Sequence, residues 1–276
     1  MNSDGPVCLL HLSDPHLFAD ESREFYGVNT QATFRATLAR ALASPPGPID
    51  AILVTGDIAD DGCRPTYERF FSLMSGHGVP VLCTPGNHEE PVVAASVLDA
   101  PPLQLCGSAT LGNWRLVLLS SHVPGDDSGW LADHEIERLD HELAAAAGQH
   151  VMVCMHHHPL PVGSPWLDGV GLRNAADLHA ILARHRRNAR GVLFGHVHQA
   201  FDSTHAGLRW LGTPSTCAQF TPHTTTCVMD VRPPGFRWVG LRPAGDIETE
   251  VVWLGEPRRT ERPPDSRAAS AVTAAK

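Results

Sequence analysis

Apolar residues in this chain fall into short runs, each ending in a polar cluster. VCLLHL precedes Ser13-Asp14, AILV precedes Thr55-Gly56-Asp57, and VLC precedes Pro85-Gly86-Asn87-His88. VMVCM precedes His156-His157-His158, and GVLF precedes Gly195-His196. Uninterrupted β-branched and aliphatic runs of this length mark buried strands, and RLVLLSS at 115–121 reads as another. Between them, 30–43, 65–76, 132–147 and 174–187 are helix-like, with Thr30 and Asn174 as N-caps of two of them. Strand alternating with helix predicts α/β layering, with polar groups at the carboxyl ends of the strands, where open α/β sheets build their sites.

The pattern changes after His198. Segments near 208–213, 224–232, 236–242 and 247–254 are rich in Val, Thr and Trp, with Pro/Gly turns and no helix-like stretch between them. They are expected to form a mostly antiparallel second sheet packed on the first. From 257 to 276 the chain is polar, Pro-rich and aperiodic, which predicts a disordered tail behind a domain spanning 1–256. No internal repeat is evident.

Composition narrows the function classes. With 276 residues and 42 % hydrophobic content the chain can bury a sizeable core. Its net charge of −9 argues against a nucleic-acid partner, which would call for a basic surface. It leaves room for a small anion held by a metal cluster, because the cations supply the local positive charge. The seven cysteines (Cys8, Cys63, Cys83, Cys106, Cys154, Cys217 and Cys227) include no CxxC pair and are expected to be buried free thiols of a reducing compartment. MNSDGPVCLLHL has no basic, then long apolar, leader pattern, and no window approaches the ~18 apolar residues of a membrane span. The expected location is cytoplasmic, away from membranes.

Five clusters carry the chemistry. Asp14-Pro15-His16 sets a carboxylate and an imidazole two residues apart, just past a strand. Gly56-Asp57, Gly86-Asn87-His88, the triple histidine and Gly195-His196-Val197-His198 follow other strands. The set offers carboxylate, amide and imidazole donors without thiolate, which suits Fe, Mn or Zn and suits Ca²⁺ or a structural zinc poorly. Each signal alone is weak, since DxH and HxH arise by chance. The order D-x-H, GD, GNH[E/D], H-x-P, GHxH, each at the end of an apolar run, is far harder to obtain that way.

This ordered set resembles the calcineurin-like metallophosphoesterases. HLSDPHLF, YGVNT, GDIADDG, MHHHPLPVGSPWLD, GLRNAADL, GHVHQ and GTPSTCAQFTP extend the likeness to the bacterial class III 3′,5′-cyclic-AMP phosphodiesterases, from about residue 8 to about 250. The resemblance implies a four-layer α/β/β/α sandwich of two mixed sheets. It also implies two metal ions, Fe and/or Mn with Zn as a further option. One would be held by Asp14, His16 and His198, the other by Asn87, His157 and His196, with Asp57 bridging. A hydroxide shared by the metals would attack phosphorus, and His88 would serve the leaving alkoxide. His16, Asp57, Asn87, His88 and His198 would then contact the substrate. Within the triple histidine, the family pattern selects the residue two before proline, His157. Strand alternation places His157 with Met155 and Val153, so His156 and His158 are expected to face away.

Other residues have weaker claims. Asp60 and Asp61 are loop acids that could support the ligands. Glu89 stands where many relatives have Asp. Trp166 or Phe18 could stack on a base, and Arg173 could pair with phosphate. The remaining histidines, His11 and His122 among them, are given no role in the site. The expected reaction is hydrolysis of 3′,5′-cyclic AMP to 5′-AMP. The alternatives are the same mechanism on 2′,3′-cyclic nucleotides or glycerophosphodiesters, and a catalytically inactive metal-binding scaffold, which a complete ligand set disfavours. A homo-oligomer is compatible with the sequence but does not follow from it.

Overall fold

The computed structural model describes residues 5–255, so the expected tail, 257–276, lies outside the described residues. In chain order the elements begin with β1 (Val7–Leu12), a small hairpin of β2 (Glu24–Phe25) and β3 (Val28–Asn29), α1 (Thr30–Ala43) and β4 (Ala51–Thr55). Then come α2 (Arg64–Met74), β5 (Val81–Thr84), α3 (Pro91–Leu98), β6 (Leu103–Leu105), β7 (Gly107–Leu111) and β8 (Trp114–Leu118). They continue with α4 (Asp133–Ala145), β9 (His150–Met155), α5 (Pro165–Asp168), α6 (Ala175–Arg184) and β10 (Ala189–Phe194). Four strands close the series: β11 (Phe201–His205), β12 (Leu208–Gly212), β13 (Gly235–Leu241) and β14 (Ile247–Trp253).

The strands form two six-stranded mixed sheets, in the orders β14-β13-β1-β4-β5-β6 and β11-β12-β10-β9-β8-β7. Alternation along each buried strand then dictates three apolar layers. Leu9, Leu53, Leu116, Met152, Cys154 and Leu193 face inward and fill the space between the sheets. Leu10, Leu12, Ile52 and Val54 point the other way, to Phe34 and Leu38 of α1 and Tyr67, Phe70 and Met74 of α2. Val153, Met155, Val192 and Phe194 pack outward against Leu139 and Leu143 of α4 and Leu178, Ile181 and Leu182 of α6. Tyr67, Phe70 and Met74 keep the i, i+3, i+7 spacing of one helix face. The result is the expected α/β/β/α sandwich.

The late strands correct one expectation, because they do not make a sheet of their own. β13 pairs antiparallel with β1 and β14 with β13, extending the first sheet. β12 lies parallel to β10 with β11 antiparallel on its edge, extending the second. The segment 224–232 is not a strand and makes only the isolated bridge Phe220–Met229. Arg237 of β13 ties the two sheets at their seam, donating to the carbonyls of Phe201 and Gly212 at 3.0 and 2.9 Å.

Two local details also differ. Asn29, not Thr30, caps α1, its Oδ1 accepting from the Ala32 amide at 2.8 Å. Asn174 precedes α6 but spends its side chain on both backbone groups of Leu131. All seven cysteines are free; Cys83, Cys154 and Cys217 are buried as expected, whereas Cys63 and Cys227 are exposed. Among the described residues, no helix is long and apolar enough to cross a membrane.

Candidate active site

The chain leaves its strands on the same edge of both sheets, and the backbone there is bent to aim side chains at one point. Asp14, His16, Asp57, His196 and His198 all have positive φ, between 46° and 67°. Left-handed backbone costs a non-glycine residue of order 1–3 kcal/mol, and such outliers gather where geometry matters for function. Neighbouring glycines make the crowding possible. A Cβ on Gly86 would sit 2.1 Å from Asp57 Oδ1, and one on Gly195 would sit 2.0 Å from Ser13 Oγ.

Two clusters result. In the first, Asp14, His16 and His198 come within ligand distance of one another. The Nε2 atoms of His16 and His198 are 3.2 Å apart, and His198 Nε2 is 3.5 Å from Asp14 Oδ1. In the second, Asn87 Oδ1 lies 3.1 Å from both His156 Nε2 and His196 Nδ1, which are themselves 3.1 Å apart. Asp57 stands between them, with Oδ2 at 3.6 Å from His16 Nε2 and 3.3 Å from His156 Nε2.

Ring nitrogens this close, around oxygens that can only accept, are the arrangement of lone pairs facing a cation. The outer nitrogens support that reading. His16 Nδ1 meets Asp60 at 3.1 Å, His156 Nδ1 meets the Thr55 carbonyl at 2.7 Å, and His198 Nδ1 meets the Ala218 carbonyl at 2.7 Å. Each such bond holds the N–H outward and leaves the inner nitrogen with its lone pair. The electrostatics agree. Burial lowers the His16 and His196 pKa values and keeps these rings neutral. Burial raises the Asp57 carboxyl, but His156, His88 and His16 outweigh it and hold it well below the usual range. Burial lowers His156, yet Asp57 and Asp14 push it up to about 9. The negative potential that retains a proton there would equally retain a cation.

His156 is where the structure departs from expectation: it does not face away. Alternation does put His157 with Val153 and Met155, but that face meets α4 and α6. Met152 and Cys154 line the space between the sheets, and His156 continues their face into the site. His157 lies within reach of His156 and His196, but both its nitrogens already have protein partners, Ser121 Oγ at 2.8 Å and the Asp127 carbonyl at 3.2 Å. His158 is buried and stacks on His196 at 5.6 Å between centroids.

His88 lies beside the clusters, with Nδ1 at 3.1 Å from Asp60 Oδ1, the oxygen that also meets His16. Burial lowers its pKa, but Asp60 and Asp57 prevail and push it up to about 10. Asp61 is not in the site; it accepts from the Cys63 amide and Thr66 hydroxyl at the start of α2. Glu89 is buried and accepts from the amides of Asp57, Ile58, Ala59 and Gly86, joining the two loops. Its side chain spans the gap between them.

A cleft of about 320 Å³ opens over the clusters, lined by His16, Asp57, Asn87, His88, His196 and His198. Four aromatic rings, Phe25, Tyr26, Trp166 and Phe220, also line it. Trp166 therefore reaches the cleft. Phe18 is only 3 % exposed, under the Arg23 guanidinium, and Arg173 pairs with Asp126 at 3.0 Å outside the cleft. The β2–β3 hairpin that brings Phe25 and Tyr26 was not assigned to the site from the sequence.

The sequence matches the family of calcineurin-like phosphoesterases over residues 9–200. The chain belongs to that family. Relatives named 3′,5′-cyclic adenosine monophosphate phosphodiesterase CpdA match along most of their length. The one from Pseudomonas aeruginosa is 37 % identical over 249 residues, 90 % of each chain. The one from Escherichia coli K12 is 36 % identical over 253 residues, 91 % of each chain. A solved dimetal phosphatase from Danio rerio shares the fold, with a TM-score of 0.63 at 15 % identity, covering 91 % of this chain and all of that one. Membership in the calcineurin-like family implies a dinuclear metal site, and the two His/Asp clusters joined by Asp57 fit one.

Proposed function

We propose that this phosphoesterase hydrolyses 3′,5′-cyclic AMP to 5′-AMP at a dinuclear metal centre. The observation that carries the reading is the pairing of two convergent donor clusters with a cleft lined by both polar and aromatic side chains. Asp14, His16 and His198 would hold one cation, Asn87, His156 and His196 the second, and Asp57 would reach both. His156 takes the place expected for His157, because its Nε2 faces Asn87 and Asp57. Donors of N and O without thiolate favour iron or manganese, with zinc also accommodated. Such a pair supplies Lewis acidity, acidifying a water and offsetting the negative charge that builds on the phosphoryl group.

The protein residues do the rest. His88, held through Nδ1 by Asp60, would protonate O3′ through Nε2 as the P–O3′ bond breaks and water oxygen bonds to phosphorus, the water's own proton passing to solvent, from which His88 is reprotonated. The products are a 3′-hydroxyl and a 5′-phosphate. Asp60 fixes the tilt of both His88 and His16 through one oxygen. Glu89 fixes the loops that present Asp57 and Asn87.

The test is steady-state kinetics of the protein loaded with iron or manganese on cyclic AMP, cyclic GMP, 2′,3′-cyclic AMP and bis(p-nitrophenyl) phosphate, with the nucleotide product identified. Cyclic AMP should yield 5′-AMP with moderate preference over cyclic GMP, because aromatic stacking tolerates any base. Rapid cleavage of the aryl diester with cyclic AMP left intact, or release of 3′-AMP, would overturn the assignment.

A further inference from the structure

The aromatic rings that line the cleft are not equivalent, and three of the four are stacked on a histidine or packed into the core. Phe25 stacks on His16 at 4.2 Å and 13°, and Phe220 stacks on His198 at 4.3 Å and 19°. Trp166 meets Phe220 edge-on at 5.0 Å, packs against the apolar core, and has its indole nitrogen buried. Tyr26 differs. It is 60 % exposed, and it meets Phe25 and Phe220 only edgewise, at 4.7 and 6.4 Å. Of the four rings that line the cleft, Tyr26 is the most exposed, no other ring is stacked on its face, and it stands one ring removed from His16.

The backbone beneath it sharpens the point. Tyr26 and Gly27 form the two-residue turn between β2 and β3, with φ of 49° and 78°. Two-residue hairpin turns with positive φ at both positions favour Asn, Asp or Gly, and a tyrosine in the first of them is strained. The turn itself does not call for this side chain; the cleft supplies a reason for it. Strain of this kind persists where the side chain has work elsewhere.

We propose that Tyr26 determines substrate choice by holding the nucleotide base, its ring against the face of the base while the phosphate lies at the histidines and carboxylates. The inference rests on the cyclic-nucleotide reading above and adds the residue that recognises the base. Stacking reads flatness rather than hydrogen-bonding edges, so Tyr26 separates nucleotides from base-free esters rather than adenine from guanine.

The experiment uses the full-length, metal-loaded protein with Tyr26→Asn, which suits the turn and removes the ring, and Tyr26→Phe, which keeps the ring. Each is compared on cyclic AMP and on the base-free ribose 3′,5′-cyclic phosphate. Tyr26→Asn should raise KM for cyclic AMP by about 10- to 100-fold, the usual scale for losing one stacked base, with little change in kcat. KM for the base-free ester should stay unchanged, and Tyr26→Phe should behave like the parent on both. Calorimetric affinity for the phosphorothioate analogue of cyclic AMP should fall in step with KM. An equal rise of KM on both esters, or no rise on cyclic AMP, would overturn the role of Tyr26. Failure of the parent protein to cleave cyclic AMP would instead sink the functional reading, and it is seen before any variant is made.

Discussion

The two sheets bring unlike chemistry to one cleft. The first, through the ends of β1, β4 and β5, supplies Asp14, His16, Asp57, Asn87 and His88. The second, through β9 and β10, supplies only imidazoles at the same spot: His156, His196 and His198. The half that carries the carboxylates holds the negative charge, and the other offers imidazole nitrogens around it. Charge is needed to keep two cations close together, whereas the imidazoles share the remaining coordination among several rings. Damage to the first half should therefore empty the site, and damage to the second should weaken it stepwise.

The strongest test of that contrast is Asp57→Asn. It keeps the volume and removes the carboxylate whose Oδ2 lies between His16 and His156, so both metals should be lost and turnover should fall by orders of magnitude. Two metals per chain by elemental analysis, with near-normal rates, would break the comparison.

Next in size is the triple histidine. His156→Ala should cost metal and most of the turnover, since its Nε2 meets Asn87 and Asp57. His157→Ala should retain both metals, because that ring is spent on Ser121 and Asp127. The reverse pattern of metal contents would restore the expectation from strand alternation.

Smaller effects fall on residues beside the cations. His88→Ala should keep the metals and lose about 10²- to 10⁴-fold in kcat, the usual scale for a placed proton donor. Asp60→Asn, acting through His88 and His16, should cost about 10- to 100-fold, as partners behind ligands commonly do. Loss of metal in His88→Ala would make it a ligand instead.

The smallest effect lies at the seam between the halves. His11 of β1 is buried, with one nitrogen at 2.9 Å from Thr55 Oγ1 and the other at 2.6 Å from Thr213 Oγ1, beyond β12 of the opposite sheet. Burial, then Arg237, lowers its pKa from 6.5 to about 3. The unfolded chain takes up this proton first, so the stability His11 contributes is complete above pH 6.5 and is lost as pH falls towards 3. His11→Gln should flatten unfolding free energy against pH in that window by up to about 1.4 kcal/mol per pH unit. Parallel profiles for the two proteins would show that the ring titrates normally in the fold.

Legibility followed the same division. In the first half each strand end carries one motif without a rival, so Asp14, His16, Asp57, Asn87 and His88 were legible and the structure brings them together. In the second half three adjacent histidines compete, and alternation sorts them into faces without saying which face is inside. That depends on which layer lies on each side of β9. The elements that escaped notice are those whose pattern is weak. α3 is apolar along most of its length and shows no period, whereas β7 and β11 are short and partly exposed. The β2–β3 hairpin has two residues per strand, too few to alternate.

By itself the sequence determined the donor inventory, the strand ends that carry it, and the α/β layering, because donor chemistry and apolar runs are local properties. Tertiary structure decided the partition of the late strands between two sheets, the inward turn of His156, and the place of Phe25 and Tyr26 over the cleft. These are relations between segments far apart in the chain, and only packing the layers against one another gives each face an inside and an outside.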